Sequence, residues 1–197
     1  MTPRTSQILL IVSAFLTGLV IFTGVFLYAT GNLSGPPAAS AIGGPFKLID
    51  QDGNPITDAD LKGRPFLVFF GYTHCPDICP TTLFDVSEVL HALGKDADRA
   101  GALFVTVDPE RDTPAVLKDY LSSFDPHLRG ATGDRAAIDA AEKAYRVYAK
   151  KVPTQNGDYS MDHTALVYLM DKQGRFVAPF SLKRRPEEAA ADLRRYL

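Results

Sequence analysis

The chain contains two cysteines in its 197 residues, and both lie in the segment 71–80, which has the sequence GYTHCPDICP. Residues i and i+4 of a helical turn share one face with Cα atoms about 6 Å apart, so Cys75 and Cys79 can close a disulfide or hold a soft metal ion. The N-terminus of a helix would stabilise their thiolates, and a thiolate is both nucleophile and metal ligand. The segment therefore predicts dithiol redox chemistry or a thiolate metal site.

A third group, His163, decides between these two interpretations. It lies in the sequence MDHT, immediately before a predicted strand. If that strand pairs antiparallel with the strand that precedes the cysteines, His163 lies beside them. Two thiolates and one imidazole suit copper, whereas a cysteine-pair oxidoreductase does not need the histidine. The alternative is a histidine with one backbone partner, and spacing alone leaves both open.

Four further residues are weaker candidates. Asp108 follows the second predicted strand at the same sheet edge, where it would orient a ligand, accept a proton or simply form a turn. His74 is adjacent to Cys75, but neighbouring side chains diverge from a turn, so it is at most an auxiliary ligand. His91 on a predicted helix and His127 in a predicted loop are expected at the surface.

The elements that must position these residues follow from hydrophobic periodicity. Residues 66–72 and 102–108 are continuous apolar runs typical of strands buried on both faces. Residues 81–93 carry apolar side chains at helical spacing. The other expected elements are a strand-like start at 46–50, a helix from Thr113-Pro114, a helix from Asp134 to about Ala149, a hairpin of 164–170 with 176–180 around 171–175, and a final helix near Pro186.

This order of elements, β-α-β-α-α-β-β-α, predicts an α/β domain. Strands that alternate with helices imply a parallel core, and the hairpin adds an antiparallel edge. The expected architecture is a thioredoxin-like domain, a mixed sheet flanked by helices, with the cysteines between the central strand and its helix. It would stand behind a single N-terminal transmembrane helix.

Residues 8–29 carry no charged side chain and as a helix would span about 33 Å, enough for a bilayer core of roughly 30 Å. An uncleaved anchor is favoured over a signal peptide, whose apolar region has about 7–15 residues. Arg4 precedes this segment and no charge follows it before residue 47, so the positive-inside rule places the N-terminus in the cytoplasm. Without a transit sequence, we expect a bacterial inner membrane with the C-terminal domain in the periplasm.

The predicted organisation is a cytoplasmic tail and anchor over residues 1–29, a flexible linker over 30–44 and a soluble domain over 45–197. The linker is rich in Gly, Pro, Ser and Ala. A domain of about 150 residues buries roughly 70% of its unfolded surface, so it does not need a disulfide between the cysteines to be stably folded. The net charge of −2 and the lack of a basic stripe with stacking aromatics argue against nucleic acid as a partner.

Three separated segments together resemble the Sco/SenC family of copper-binding assembly proteins for cytochrome c oxidase. They are the cysteine segment 71–80, the sequence VDPERDT at 107–113 and the sequence DHT at 162–164. The resemblance runs from about Phe46 to the C-terminus and includes the N-terminal anchor. It implies a thioredoxin-like domain that binds one copper ion, Cu(I) or Cu(II), through Cys75, Cys79 and His163, with Asp108 and Asp162 as candidates for supporting the ligands.

The same resemblance implies the partner. A protein of this kind supplies copper to the dinuclear copper site of cytochrome c oxidase subunit II or reduces the cysteines of that site. The leading hypothesis is a metallochaperone, a transfer protein rather than an enzyme, which would take copper from a periplasmic donor. The alternative is a thiol–disulfide oxidoreductase with Cys75 and Cys79 as its redox pair, maintained by a thioredoxin-like reductase.

Overall fold

A computed structural model describes residues 3–31, 42–155 and 157–197 of the chain, which divides into two units, 1–39 and 40–197. The first unit contains helix α1 (Pro3–Gly31), whose side chains between residues 12 and 28 are exposed. A search of the described residues finds no helix with the length and apolar character needed to cross a membrane. The anchor over 8–29 stays a prediction. Of the predicted linker, residues 32–41 lie outside the described residues.

The second unit is an α/β domain built on a mixed sheet. Its described part contains a seven-stranded sheet and a separate two-stranded sheet. The elements in chain order are β1 (Lys47–Asp50), β2 (Pro55–Thr57), β3 (Phe66–Gly71), α2 (Ile78–Leu93), β4 (Gly101–Thr106), α3 (Pro114–Leu121), β5 (Leu128–Thr132), α4 (Arg135–Tyr145), β6 (Ala149–Pro153), β7 (Tyr159–His163), β8 (Val167–Met170), β9 (Phe176–Pro179) and α5 (Pro186–Arg194).

The large sheet has the strand order β2-β1-β5-β4-β3-β8-β9. Strands β3, β4 and β5 are parallel, and β8 runs antiparallel to β3, with Phe66 opposite Met170 and Phe69 opposite Val167. Every residue of β3 and β4 is buried, as the two continuous apolar runs predicted. The parallel core with an antiparallel edge is therefore confirmed, and so is the pairing on which the placement of His163 depends.

Helix α2 lies on the sheet through an apolar stripe. Leu83, Val86 and Leu90 on this stripe are buried, and the same helix also packs against α5. Two predicted helix starts are confirmed by their caps, because the side chain of Thr113 accepts a hydrogen bond from the N–H of Val116 and that of Asp134 accepts one from Ala137. The sequence therefore signals these starts through ordinary capping chemistry.

The prediction was wrong for the segment after α4. The helix ends at Tyr145 rather than near Ala149, because Arg146 adopts a left-handed conformation with φ of 56°. Residues from Ala149 onward form the hairpin β6–β7, which the sequence did not reveal. Its strands are largely exposed and lack an alternating apolar pattern, so they carry no periodic signal. Strands β2 and β5 were missed as well.

Gly43, within the last residues of the predicted linker, is hydrogen-bonded to the domain. The N–H of Gly43 donates to the carbonyl of Ala144 at 2.9 Å. Gly43 has φ of +93°, and a Cβ there would lie 2.8 Å from Cε of Met170, so only glycine fits. Because Met170 is opposite Phe66, this contact lies at the end of the sheet where β3 begins.

Candidate metal centre

The two cysteines lie at the carboxyl end of β3, in the turn that leads into α2. This helix begins at Ile78 rather than at residue 81, so Cys79 is in its first turn and Cys75 lies before it. The backbone N–H of Cys79 points to Cys75 Sγ at 3.4 Å. The sulfur thus occupies the position of a helix cap and faces the partial positive charge of the helix N-terminus. Both thiols are free.

Gly71, the last residue of β3, provides the space for the second sulfur. A Cβ on Gly71 would lie 2.8 Å from Cys79 Sγ and 2.7 Å from Cε2 of Phe104. Cys79 is completely buried, whereas Cys75 is half-buried. One sulfur is therefore fixed against the end of the central strand, and the other belongs to a residue that is partly exposed.

His163 completes the cluster from the far end of the chain. It is the last residue of β7, and its Nε2 lies 3.6 Å from Cys79 Sγ. The sulfur atoms of Cys75 and Cys79 and a ring nitrogen of His163 all lie within 4.8 Å of one another. The fold brings the three residues together as predicted, because β8, which follows His163, pairs antiparallel with β3.

The surroundings of His163 set the direction of its ring. Nδ1 lies 3.2 Å from the carbonyl oxygen of Thr164, which can only accept a hydrogen bond, so the proton belongs on Nδ1 and the lone pair on Nε2. The rings of Tyr72 and Phe69 meet the imidazole edge-on, with centroids at 5.7 Å and 6.2 Å. The free nitrogen is therefore the one that faces the sulfurs, as a metal ligand requires.

Burial sets the protonation of the cluster. Removal from water raises the pKa of the Cys79 thiol and lowers the pKa of the His163 imidazole. Near neutral pH the metal-free cluster therefore holds a protonated Cys79 thiol and a neutral imidazole. A metal ion must displace the thiol proton, but it finds the imidazole ready to bind.

This protonation state predicts the pH dependence of metal binding. Because Cys79 releases a proton on binding, apparent affinity should rise at least about tenfold for each pH unit between about pH 6.5 and 8.5. His163 should add no proton release in this range, because its lowered pKa keeps it neutral. Titration against a competing chelator at several pH values measures the slope. A pH-independent affinity would show that Cys79 is not a ligand.

The sequence of this chain matches a known protein family. Residues 34–197 match the sequence model of the SCO1/SenC family. The chain belongs to this family. The SCO2-like protein of Rickettsia felis is 40% identical over 149 residues, which cover 75% of this chain and 73% of that protein. The mitochondrial SCO1 homologue of Mus musculus is 39% identical over 155 residues, 77% of this chain and 55% of that protein.

Solved structures of SCO1/SenC proteins have the same fold. The structure of Bradyrhizobium japonicum ScoI with copper bound is 70% identical, with a TM-score of 0.78, and covers 79% of this chain and 99% of that one. Yeast Sco1 with copper bound is 38% identical, with a TM-score of 0.72 and coverage of 79% and 87%. The mixed sheet flanked by helices is thus the SCO1/SenC form of the thioredoxin-like fold.

In this SCO1/SenC chain, Asp112 supports the cysteine turn more directly than the predicted Asp108. It is completely buried, and its carboxylate accepts hydrogen bonds from the N–H (3.0 Å) and hydroxyl (2.6 Å) of Thr73 and from the hydroxyl of Thr106 (2.6 Å). Sequence reasoning missed this residue. The available signal was an acidic residue following β4, whose carboxyl end lies beside that of β3.

The remaining candidates lie around the cluster or away from it. Asp108 is buried and accepts hydrogen bonds from Arg111 and Tyr159, so any influence on the ligands is indirect. Asp162 and His74 are exposed, and Nδ1 of His74 lies beside the hydroxyl of the neighbouring threonine. His91 is exposed on α2, as expected.

His127, which was expected simply at the surface, is held between two carboxylates. Its Nδ1 lies 2.7 Å from Asp125 and its Nε2 lies 3.0 Å from Asp98. The contacts with Asp98 and Asp125 raise the pKa of His127. His127 therefore has a structural role, because it links the segments that contain Asp98 and Asp125.

Proposed function

We propose that this SCO1/SenC chain is a copper metallochaperone that delivers copper to the dinuclear site of cytochrome c oxidase subunit II. The observation that carries the proposal is the convergence of Cys75 Sγ, Cys79 Sγ and a His163 nitrogen within 4.8 Å. The three residues would hold one ion, Cu(I) or Cu(II). Supporting this assignment, two structurally similar family members are described with copper bound.

The donor set fits copper by its chemistry. Thiolate sulfur and imidazole nitrogen are the ligands of soft and borderline metals, whereas magnesium and calcium require oxygen donors. The buried position of Cys79 excludes water from one side of the ion, and the half-buried Cys75 leaves the other side open to an incoming ligand. The site is therefore suited to hold copper as cargo and to release it by ligand exchange.

The proposal includes the membrane anchor over residues 8–29, with the N-terminus in the cytoplasm and the copper-binding domain in the periplasm of a bacterium. It rests on the uncharged apolar sequence and on Arg4 before it. An anchored chaperone would act at the same membrane surface as a membrane-bound oxidase. Fractionation of cells that produce the full chain tests it, because a chain released into the soluble periplasmic fraction would contradict an uncleaved anchor.

The surface around the cluster suits a protein partner. Ile78 and Leu166 are 49% and 47% exposed and are close to the ligands in the sequence, beside Cys79 and three residues after His163. Together with Pro179, Phe180 and Leu182 they line a groove of about 470 Å³. An incoming protein that reaches the sulfurs would cover the exposed side chains of Ile78 and Leu166, and their burial would stabilise the complex.

Substitution of Leu166 by aspartate tests this surface. We expect copper affinity to remain unchanged and the second-order rate of copper transfer to fall about tenfold, because a charge would be buried in the complex. Stopped-flow mixing of the copper-loaded chain with the target measures the rate. Val116→Asp, at an exposed position on α3, is the control and should transfer copper at the wild-type rate.

The function itself is tested by transfer. The copper-loaded chain is mixed without oxygen with the metal-free, reduced copper domain of subunit II. With at least two equivalents of the copper-loaded chain, copper should move to the target, and the copper content of the two separated proteins measures the transfer. A chain that takes up no stoichiometric copper with both thiols reduced, or that keeps its copper beside a competent target, contradicts the proposal.

The second candidate function is reduction of the target cysteines. It is favoured by the position of Cys75, a half-buried free thiol that caps a helix and lies next to a second thiol. Cys75 would attack the target disulfide, one target thiolate would leave, and Cys79 would resolve the mixed disulfide, so that this chain is oxidised and the target reduced. A metal-free chain that reduces the oxidised target in stopped flow would support it.

A further inference from the structure

The hairpin that carries His163 is not part of the large sheet. Strands β6 and β7 pair with each other, and in the described part of the chain they form a separate two-stranded sheet. Cys75 and Cys79, in contrast, are attached to the central strand and α2. The position of the imidazole relative to the sulfurs therefore depends on how the hairpin is fastened to the domain.

Arg111, in the loop after β4, makes several contacts with this hairpin. Its Nε donates to Asp108 at 2.5 Å, and its Nη1 donates to the backbone carbonyl of Tyr159 at 3.0 Å and to Asp158 at 3.3 Å. Its Cζ lies 3.8 Å from the centroid of the Tyr159 ring, within cation–π distance. Tyr159 in turn donates its hydroxyl to Asp108 at 2.9 Å. Three residues thus form a closed set of contacts between the loop and the hairpin.

The same guanidinium is linked to the imidazole through a second ring. Arg111 Cζ lies 5.8 Å from the centroid of Tyr72, whose ring meets His163 at 90°. The Nη2 atom of Arg111 is buried and has no hydrogen-bond acceptor among the described residues. The rings of Tyr72 and Tyr159 beside the guanidinium compensate for this missing partner, so the site selects the flat cation of arginine over lysine.

We propose that Arg111 is a positioning residue for copper binding: stacked on Tyr159 and fixed by Asp108, it holds the β6–β7 hairpin so that His163 stays within bonding distance of the cysteines. This inference rests on the proposed copper function. Arg111 touches neither the metal nor its ligands' donor atoms, and it acts through the placement of the hairpin. Without it, Cys75 in the turn and Cys79 in the first turn of α2 keep their places while the imidazole samples a wider volume.

Tyr159→Leu in the full-length chain tests the proposal, because leucine removes both the ring under the guanidinium and the hydroxyl bound to Asp108. Copper affinity, measured with a competing chelator, should fall about 10–100-fold, as expected when a group that orients a ligand is lost. Amide hydrogen exchange of residues 149–163 should accelerate. Arg175→Lys, in the β8–β9 turn where arginine pairs with Asp171, is the control and should change neither quantity.

A double variant separates positioning from general structure. In a His163→Ala background, Tyr159→Leu should weaken copper binding no further, because its effect passes through the imidazole. An equal loss of affinity in both backgrounds, or no loss in the wild-type background, would overturn the proposal. Tyr159→Phe keeps the stack and removes the hydroxyl, so it should show the same pattern with a smaller loss, even where Tyr159→Leu folds poorly.

The metallochaperone function and the positioning role of Arg111 can be disproved separately. If the wild-type chain bound no copper, the metallochaperone function would be wrong, whereas hydrogen exchange would still show whether Arg111 fastens the hairpin. If the wild-type chain binds copper and Arg111→Lys binds it equally well with an unchanged Cu(II) absorption spectrum, the metallochaperone survives and the positioning role is wrong.

Discussion

Replacement of His163 by alanine is expected to weaken copper binding by more than the 10–100-fold that typically follows loss of an outer-shell group, because a direct ligand is removed. The reduction potential of the Cys75–Cys79 pair should shift by less than about 30 mV, which corresponds to about 1.4 kcal/mol. Cys75, in the turn before α2, and Cys79, in its first turn, keep their positions in the variant. Copper titration without oxygen and equilibration with a glutathione buffer measure the two quantities.

The comparison of the two effects distinguishes the functions. A metallochaperone requires the histidine for the metal, whereas a dithiol oxidoreductase depends on the cysteines alone. His91→Ala, at an exposed position on α2, serves as the control and should leave both quantities unchanged. If His163→Ala bound copper as tightly as the wild type, the imidazole would not be a ligand and the leading function would lose its basis.

Substitution of Gly71 by alanine is expected to damage the site without replacing a ligand. The added methyl group would lie 2.8 Å from Cys79 Sγ and 2.7 Å from the Phe104 ring, so the sulfur, the ring or the strand must move. Overpacking of this kind costs about 1–3 kcal/mol of unfolding free energy. Because Cys79 Sγ is displaced relative to His163, copper affinity should fall as well. Urea unfolding and copper titration of the same protein measure both effects.

Gly101 provides a matched control for this substitution. It also lies in a central strand, β4, but a Cβ there would meet Arg64 at 3.5 Å and Phe66 at 3.6 Å, which are ordinary van der Waals contacts. Gly101→Ala should therefore change the unfolding free energy by less than about 1 kcal/mol and leave copper affinity unchanged. Equal behaviour of the two variants would show that the space beside Cys79 is not restricted.

The core of the domain could be predicted from sequence because its signals are local. The continuous apolar runs of β3 and β4, the cap at Thr113 and the Asp171–Arg175 turn each indicate their element within a few residues. The approach of His163 to the cysteines depended on one further assumption, the antiparallel pairing of β8 with β3, which the structure confirms.

The parts that escaped prediction depend on contacts between distant segments. The β6–β7 hairpin is polar and exposed, and it is defined by its own pairing and by the Arg111–Tyr159 stack rather than by a buried stripe. In the sequence, nothing distinguishes Asp112 from the other acidic residues of the segment 107–113. In the structure it is buried and accepts a hydrogen bond from the N–H of Thr73. Neither burial nor stacking can be recognised before the chain is folded.

The position of Gly43 has a consequence for access to the sulfurs. Gly43 lies beside Met170, where β3 begins, and Cys75 follows the opposite end of that strand. A six-residue strand at about 3.3 Å per residue separates the two by roughly 20 Å. Gly43 and Cys75 thus lie near opposite ends of β3, so a protein that docks on the cysteines leaves the backbone contact between Gly43 and Ala144 uncovered.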